Sequence, residues 1–239
     1  RRCDIGPVRV ARARGSRPGS CRRRRPAVGG QPVSTSSSVS HSRALRIVLT
    51  GGPGGGKTTA ADLFRREIGD RVVLVPEAAT MLFGGGFPRL HEAQGVRAAQ
   101  AAIFHVQRNL EEVQAARYPG KILLCDRGTV DGAAYWPGEP DAFFAAMGTS
   151  LAAELARYDA VVFFESAALG GMDILNSNPV RIETSTQAIE LDRRLHGLWS
   201  QHPRFCHVPH SPSFFKKITF GLTAMETLVA QLARREVQP

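Results

Sequence analysis

Cysteine is scarce in this sequence, and no run of hydrophobic residues is long enough for a transmembrane helix. The four cysteines, Cys3, Cys21, Cys125 and Cys206, lie far apart, without a Cys-x-x-Cys pair or a His/Cys cluster at zinc-ligand spacing. A bilayer span needs about 18 consecutive apolar residues, and the sequence has no such run. We therefore expect no zinc site, no membrane span and a reducing intracellular compartment.

Acidic residues are almost absent from the first 46 positions. This segment has twelve arginines, no lysine and one acid, Asp4, whereas the rest of the chain has nineteen basic and twenty acidic residues. The net charge of +10 therefore arises in this segment, and the remainder is nearly neutral. A basic folded surface for nucleic acid is not indicated, so no specific nucleic-acid binding is expected.

Residues 1–44 are rich in Arg, Ser, Gly and Pro and show no hydrophobic periodicity. Such a composition predicts a disordered tail. It is also typical of an organellar transit peptide, which would direct the protein to a plastid or mitochondrion instead of the cytoplasm. A solvated tail without a targeting role and a gene-model artefact are the alternatives.

From Leu45 onward, short β-branched runs alternate with helical patterns, which predicts a three-layer α/β sandwich around a parallel sheet. The predicted strands are Arg46–Thr50, Arg71–Val75, Lys121–Cys125, Ala160–Glu165 and Arg204–Val208. The predicted helices are Lys57–Ile68, Gln94–Arg117, Asp141–Arg157, Thr184–Ser200 and Ser213–Arg235.

The sequence Gly51-Gly52-Pro53-Gly54-Gly55-Gly56-Lys57-Thr58 fits the P-loop pattern GxxxxGK[ST] between a predicted strand and a helix. Its backbone N–H groups and the helix N-terminus are suited to phosphate oxygens. Lys57 is expected to reach the β- and γ-phosphates, and Thr58 to bind Mg²⁺. Residues 45–239 are therefore predicted to form a P-loop nucleotide-binding domain. The predicted nucleotide contacts are Gly52, Pro53, Gly54, Gly55, Gly56, Lys57, Thr58 and Thr59.

Two acids follow predicted strands at the edge of the sheet where such domains bind ligands. Asp126 is the candidate for holding Mg²⁺ with Thr58, or alternatively it caps a helix. Glu77 is the candidate base for an acceptor hydroxyl, or alternatively an acid placed at a helix N-terminus. Arg127 either clamps an anionic part of the substrate or pairs with a surface acid. No Asn-Lys-x-Asp signature indicates guanine, so ATP is expected, with GTP left open.

The helix Gln94–Arg117 has two candidate faces. Val96, Ala99, Ile103, Val106, Leu110 and Val113 form a predicted buried stripe. Arg97, Gln100, Phe104 and Gln107 lie on another face, where Phe104 could stack on an acceptor ring and the Gln side chains hydrogen-bond it. Solvation or packing against a neighbour is the alternative for this second face.

A flexible stretch around residues 170–181 follows the fourth strand and is predicted to close as a lid. Arg181 is the first candidate for contacting the transferring phosphoryl group, ahead of Arg193 and Arg194. Surface salt bridging is the alternative. His210, after the fifth strand, is a candidate contact to the nucleotide base.

These segments together resemble the AAA-type ATPase domain shared by the NadR ribosylnicotinamide kinases and the TRP-translocation-defect proteins. The resemblance rests on Gly51–Thr58, Pro76–Ala79, Cys125–Gly128 and Asn178–Glu183. It implies a thymidylate-kinase-like parallel sheet of order 2-3-1-4-5. It also implies either kinase activity or nucleotide binding linked to trafficking and lipid recognition. The Asp-Arg-Gly segment is similar to deoxynucleoside kinases, in which a Glu after the second strand acts as base.

The sequence thus predicts a kinase that binds Mg-ATP and phosphorylates a hydroxyl of a nucleoside-like or other small molecule. In this hypothesis Lys57 and Arg181 stabilise charge on the transferring phosphoryl group, Thr58 and Asp126 hold Mg²⁺, and Glu77 is the base. Arg127 is a further catalytic candidate. The alternative is a regulatory module that binds ATP or GTP, is catalytically inactive or slow, and acts through a protein or lipid partner.

Overall fold

Five parallel strands form one sheet in the computed structural model, which describes residues 43–170 and 184–236. The strand order is β2-β3-β1-β4-β5, as the resemblance implied. In the register, Val48 of β1 lies between Cys125 of β3 and Val161 of β4. The strands are β1 Arg46–Thr50, β2 Val72–Val75, β3 Ile122–Asp126, β4 Ala160–Phe164 and β5 Phe205–Val208.

Every residue of the three central strands, β1, β3 and β4, is buried. Helices cover both faces of the sheet, and this explains why these strands are nearly continuous apolar runs. One face packs on a cluster that includes Phe64 and Met225, and the other on a cluster that includes Phe143 and Trp199. The result is the predicted three-layer sandwich.

Eight α-helices occur in the described ranges. Their bounds are α1 Lys57–Ile68, α2 Ala78–Gly84, α3 Ala93–Arg117, α4 Asp131–Tyr135, α5 Pro140–Ala146, α6 Leu151–Leu155, α7 Ser185–Trp199 and α8 Phe214–Glu236. Short 3₁₀ helices span Gly69–Arg71 and Ala167–Gly170. None of these described helices has the length and hydrophobicity that crossing a bilayer requires.

The predicted helix Asp141–Arg157 is wrong as a single element, because the chain breaks it into α5 and α6. Gly148 adopts a left-handed conformation with φ 66°, which the regular helix does not allow. Ser150 then starts α6 by accepting a hydrogen bond from the backbone N–H of Ala153. Helices α2 and α4 were not predicted, since each has only one or two turns.

The predicted buried stripe of α3 is also wrong in part. The buried residues of this helix are Ala99, Gln100, Phe104, Gln107 and Glu111, whereas Val113 is 60% exposed. Glu111 turns inward because Tyr158 donates to Oε1 at 2.8 Å and Arg157 to Oε2 at 2.7 Å. A buried ion pair therefore determines which face of α3 packs inward, and a pattern of apolar residues does not reveal such a pair.

Candidate active site

The loop Gly51–Gly56 joins the end of β1 to the start of α1 and is shaped by its glycines. Gly51 and Gly56 have φ values of 130° and 85°, a region that L side chains rarely adopt. A Cβ on Gly51 would also collide with the carbonyl oxygen of Phe164. The loop is therefore a tight turn whose path depends on glycine, as the P-loop pattern predicts.

Two P-loop side chains converge on the mouth of this turn. Lys57, the first residue of α1, is 5% exposed, and its Nζ donates to the Gly52 carbonyl oxygen at 2.7 Å. Thr58 Oγ1 donates to Asp126 Oδ2 at 2.9 Å. The structure thus brings together Lys57, Thr58 and Asp126. Thr59, also predicted as a nucleotide contact, is exposed and is not among the residues of the adjoining cleft.

Asp192 of α7 anchors the P-loop from behind and was missed by sequence reasoning. Its Oδ1 accepts the backbone N–H groups of Gly52 and Ser166, each at 2.8 Å, and Ser166 Oγ donates to the Pro53 carbonyl oxygen at 2.5 Å. Burial raises the pKa of the Asp192 carboxyl, and these two N–H groups oppose the rise. The Gly52 N–H therefore already has an acceptor, which leaves it less suited to a phosphate.

A sequence signal for Asp192 did exist. Its spacing from Ala188, Leu195 and Trp199 places it on the buried face of α7, and it is only 3% exposed. A charged residue on the buried stripe of a helix requires partners in the folded protein. The adjacent Arg193 and Arg194, by contrast, are exposed.

The two candidate acids face each other at the carboxyl edge of the sheet. Asp126 is the last residue of β3, and Glu77 lies between β2 and α2. Burial, together with the charge of Glu77, raises the pKa of Asp126 against the opposing effect of Lys57. Burial alone would raise the pKa of Glu77, but the Arg127 guanidinium, a hydrogen bond from Thr80 and the charge of Lys57 bring it below the usual range. Glu77 is therefore ionised at neutral pH.

Arg127 is held between two carboxylates. Its Nε donates to Glu77 Oε1 at 2.5 Å, and one terminal nitrogen donates to Asp131 Oδ2 at 2.9 Å. Asp131 is fixed in turn by Thr50 Oγ1 at 2.9 Å and by the indole N–H of Trp199 at 2.7 Å. One of the two acids that pair with Arg127 is thus Glu77, the candidate base. The other, Asp131, is a positioning residue that was not predicted from the sequence.

The backbone of Arg127 is strained. Its φ is 72°, and no other non-glycine residue in the described ranges has a positive φ. Such strain persists only where surrounding contacts hold it, and it concentrates at functional sites. Here the Arg127 N–H donates to the Leu49 carbonyl oxygen at 2.9 Å, and its own carbonyl accepts from Gln107 Nε2 at 3.2 Å.

A cleft of ≈ 310 Å³ opens beside these side chains. It is lined by Lys57, Thr58, Glu77, Asp126 and Arg127 at one end and by residues of α2, α3 and their connection at the other. This volume matches a small organic molecule. The cleft therefore offers space for a second ligand next to the phosphate end of the P-loop.

The predicted acceptor face of α3 enters this cleft only in part. Gln100 and Gln107 line the cleft, but Gln107 is occupied, since its Oε1 accepts the Ala78 N–H at 3.2 Å and its amide bonds Arg127. Phe104 does not stack on a ligand, because it is buried in the core with its ring centroid 5.7 Å from that of Phe143. Arg97 lies outside the cleft, 5.9 Å from the Trp136 ring.

The remaining candidates lie away from these groups or outside the described ranges. Arg181 lies outside them, as do residues 1–42 of the predicted tail. Arg194 pairs with Glu190 at 3.0 Å on the surface of α7. The His210 side chain packs against Gly170, and its backbone N–H donates to Glu165 Oε2 at 2.6 Å.

Fold and site together define a P-loop NTPase domain with a parallel sheet of order 2-3-1-4-5. The chain belongs to the AAA domain family, whose model matches residues 46–216. The predicted family resemblance and the predicted strand order are therefore confirmed.

Two solved structures show the same fold. NadR in complex with NAD and AMP-PNP has 12% sequence identity and a TM-score of 0.54, with 79% of this chain and 50% of NadR covered, so the chain spans about half the length of NadR. Deoxyadenosine kinase from M. mycoides with bound dATP has 12% identity and a TM-score of 0.56, with 76% of this chain and 100% of that one covered. No curated protein matches the sequence.

Proposed function

We propose that this protein is an ATP-dependent kinase that transfers the γ-phosphoryl group to a hydroxyl of a nucleoside-like or other small molecule. The observation that supports it is one cleft containing both the P-loop Lys57 and an ionised carboxylate, Glu77, on the acceptor side. A protein that only hydrolyses or senses a nucleotide needs no such second space. The fold that the chain shares with a deoxyadenosine kinase bound to dATP, and with NadR bound to AMP-PNP, agrees with the proposal.

The residues at the P-loop mouth fit a magnesium ion. The Thr58 hydroxyl and the Asp126 carboxylate lie 2.9 Å apart, and hard oxygen ligands of this kind suit Mg²⁺. When bound, Mg²⁺ would neutralise charge on the β- and γ-phosphates of ATP.

The protein's own groups account for the remaining chemistry. Lys57 turns from the Gly52 carbonyl to the phosphate oxygens and stabilises their charge. Glu77 takes the proton of the acceptor hydroxyl as that oxygen bonds to the γ-phosphorus and the bond to ADP breaks. Arg127 orients Glu77 and keeps it ionised.

Turnover with an acceptor panel tests this proposal. We expect ADP to form from Mg-ATP only when a nucleoside or related polyol is present, with a phosphorylated product of matching amount. Tight nucleotide binding without acceptor-dependent turnover would instead support the regulatory module. The observation that favours this alternative is that Glu77 already accepts hydrogen bonds from Arg127 at 2.5 Å and from Thr80 at 2.6 Å.

Nucleotide affinity should depend on Asp192, although this side chain lies behind the P-loop. Asp192→Ala leaves two buried N–H groups without an acceptor, which costs roughly 1–3 kcal/mol of free energy. Part of this free energy is lost through a change in the geometry of the P-loop, so nucleotide binding is weakened. We expect calorimetry with AMP-PNP to show a Kd about tenfold higher. Asp192→Asn keeps an acceptor oxygen and should bind almost as the wild type. A folded Ala variant with unchanged Kd would contradict this role.

A further inference from the structure

The far end of the cleft contains an arginine that has no acidic partner among the residues that the structure describes. Arg89, between α2 and α3, lines the cleft, and its guanidinium carbon lies 3.9 Å from the centroid of the Phe83 ring. Within residues 43–170 and 184–236, it forms no ion pair within 4.0 Å. Arg127, at the other end, is already paired with Glu77 and Asp131. Arg89 therefore retains the capacity to bind an anion.

The connection that bears Arg89 is held by contacts at both of its ends. Its start is fixed by a hydrogen bond of 2.9 Å from the Phe87 N–H to the Leu82 carbonyl oxygen, and the Phe83 and Phe87 rings meet edge to face at 6.4 Å. Its end is fixed by Leu90, which packs so closely on Gly95 that no Cβ would fit there. The guanidinium is thus held against an aromatic face and is half-buried, which reduces the entropy lost on binding a ligand.

Arg89 and the candidate base lie at different ends of the cleft wall that α3 forms. Gln107 contacts Ala78 and Arg127, next to Glu77. Leu90, next to Arg89, packs on Gly95, twelve residues earlier in the same helix. One ligand that extends along α3 could therefore contact both groups.

The middle of the cleft is apolar. Val96, Ala99 and Ile103 of α3 line it between the two charged ends. A ligand that fits these walls has a hydroxyl at one end, a ring or other apolar part in the middle, and a negative group at the other end.

We propose that the acceptor of this enzyme carries an anionic group, a carboxylate or a phosphate, at the end opposite the hydroxyl that is phosphorylated, and that Arg89 binds it. The proposal rests on the proposed function for the identity of the hydroxyl. The planar guanidinium pairs with either anion through two parallel hydrogen bonds, which a neutral group of the same shape does not reproduce. Neutral nucleosides are accordingly expected to be the weaker ligands.

Binding of matched ligand pairs tests this inference independently of turnover. Calorimetry on the full chain with AMP-PNP and Mg²⁺ would compare uridine with orotidine, which differ in one carboxylate. Thymidine and its 3′-monophosphate supply the phosphate arm. We expect at least one anionic member to bind about tenfold or more tightly than its neutral partner.

Variants of Arg89 should remove this preference selectively. Arg89→Gln is expected to give the two members of the preferred pair equal Kd values and to leave the Kd of the neutral member unchanged. Arg89→Glu should bind the neutral member more tightly than the anionic one. Arg97→Gln serves as the matched control, because Arg97 is exposed and outside the cleft. Unchanged melting temperatures would show that all three variants are folded.

The possible outcomes separate the two proposals. Equal Kd values within every pair, no binding of any member, or a preference that survives Arg89→Gln would overturn the anion site. An Arg89-dependent preference without ADP formation from ATP would retain the anion site and contradict the kinase. Acceptor-dependent turnover of neutral nucleosides alone would support the kinase and overturn the anion site.

Discussion

Glu77→Gln is expected to lower kcat by about 10²–10⁴-fold, the usual contribution of a general base. Glutamine keeps the shape of the side chain, and its single oxygen can still accept the hydrogen bond from Arg127. Its NH2 group can donate to the Thr80 hydroxyl, which donates to Glu77 in the wild type. It does not take a proton from the acceptor hydroxyl. Steady-state kinetics with Mg-ATP and the best acceptor would measure the loss, and calorimetry with AMP-PNP should show nearly unchanged nucleotide affinity.

The pH dependence of the Arg127→Gln variant provides an independent check on Glu77. In the wild type, Arg127 holds the pKa of Glu77 below its usual value, so the base stays ionised as the pH falls through the range where a free glutamate is protonated. Without that guanidinium, burial dominates and the pKa rises. The decline of kcat/KM on acidification should therefore begin at a higher pH in Arg127→Gln. An acidic limb at the same pH in both proteins, or a fully active Glu77→Gln enzyme, would exclude Glu77 as the base.

Lys57→Ala should reduce kcat/KM for ATP by about 10²–10³-fold, comparable to removing one preorganised donor to a developing charge. Lys57 is buried at the start of α1, where its ammonium and the helix N-terminus both favour phosphate oxygens. The measurement combines kinetics with calorimetric binding of AMP-PNP. Because a buried lysine also affects folding, the melting temperature of the variant should be compared with that of the wild type.

Lys216→Ala is the matched control for Lys57, since Lys216 is an exposed lysine on α8. It should leave both affinity and turnover unchanged. Nucleotide uptake by a folded Lys57→Ala protein that equals the wild type would contradict a nucleotide-binding P-loop and with it the kinase proposal.

The sheet and the P-loop could be predicted from the sequence because their signals are local. The strands β1, β3 and β4 are apolar runs, and the glycines at 51 and 56 adopt the conformations that the motif requires. Glu77 and Asp126 could be placed at one edge because parallel strands bring their carboxyl ends together.

The inward face of α3 and the partners of the positioning residues could not be predicted, since these partners are distant in the sequence. Glu111 faces inward because of Tyr158 and Arg157, which come more than 40 residues later in the chain. Asp131 is fixed by Trp199, 68 residues away, and Asp192 by Gly52, 140 residues away. Helical periodicity registers hydrophobicity alone and does not reveal that a carboxylate will meet a donor from another element.

The hydrogen bond from Lys57 to the carbonyl of its own loop has a consequence for the cost of binding. The Gly52 oxygen, 2.7 Å from Nζ, takes one of the three N–H donors of the ammonium and holds the side chain at the loop. A long, flexible lysine loses conformational entropy when a ligand fixes it. In this protein much of that entropy is already lost before a ligand arrives, so an incoming phosphate meets an ammonium that is close to its place.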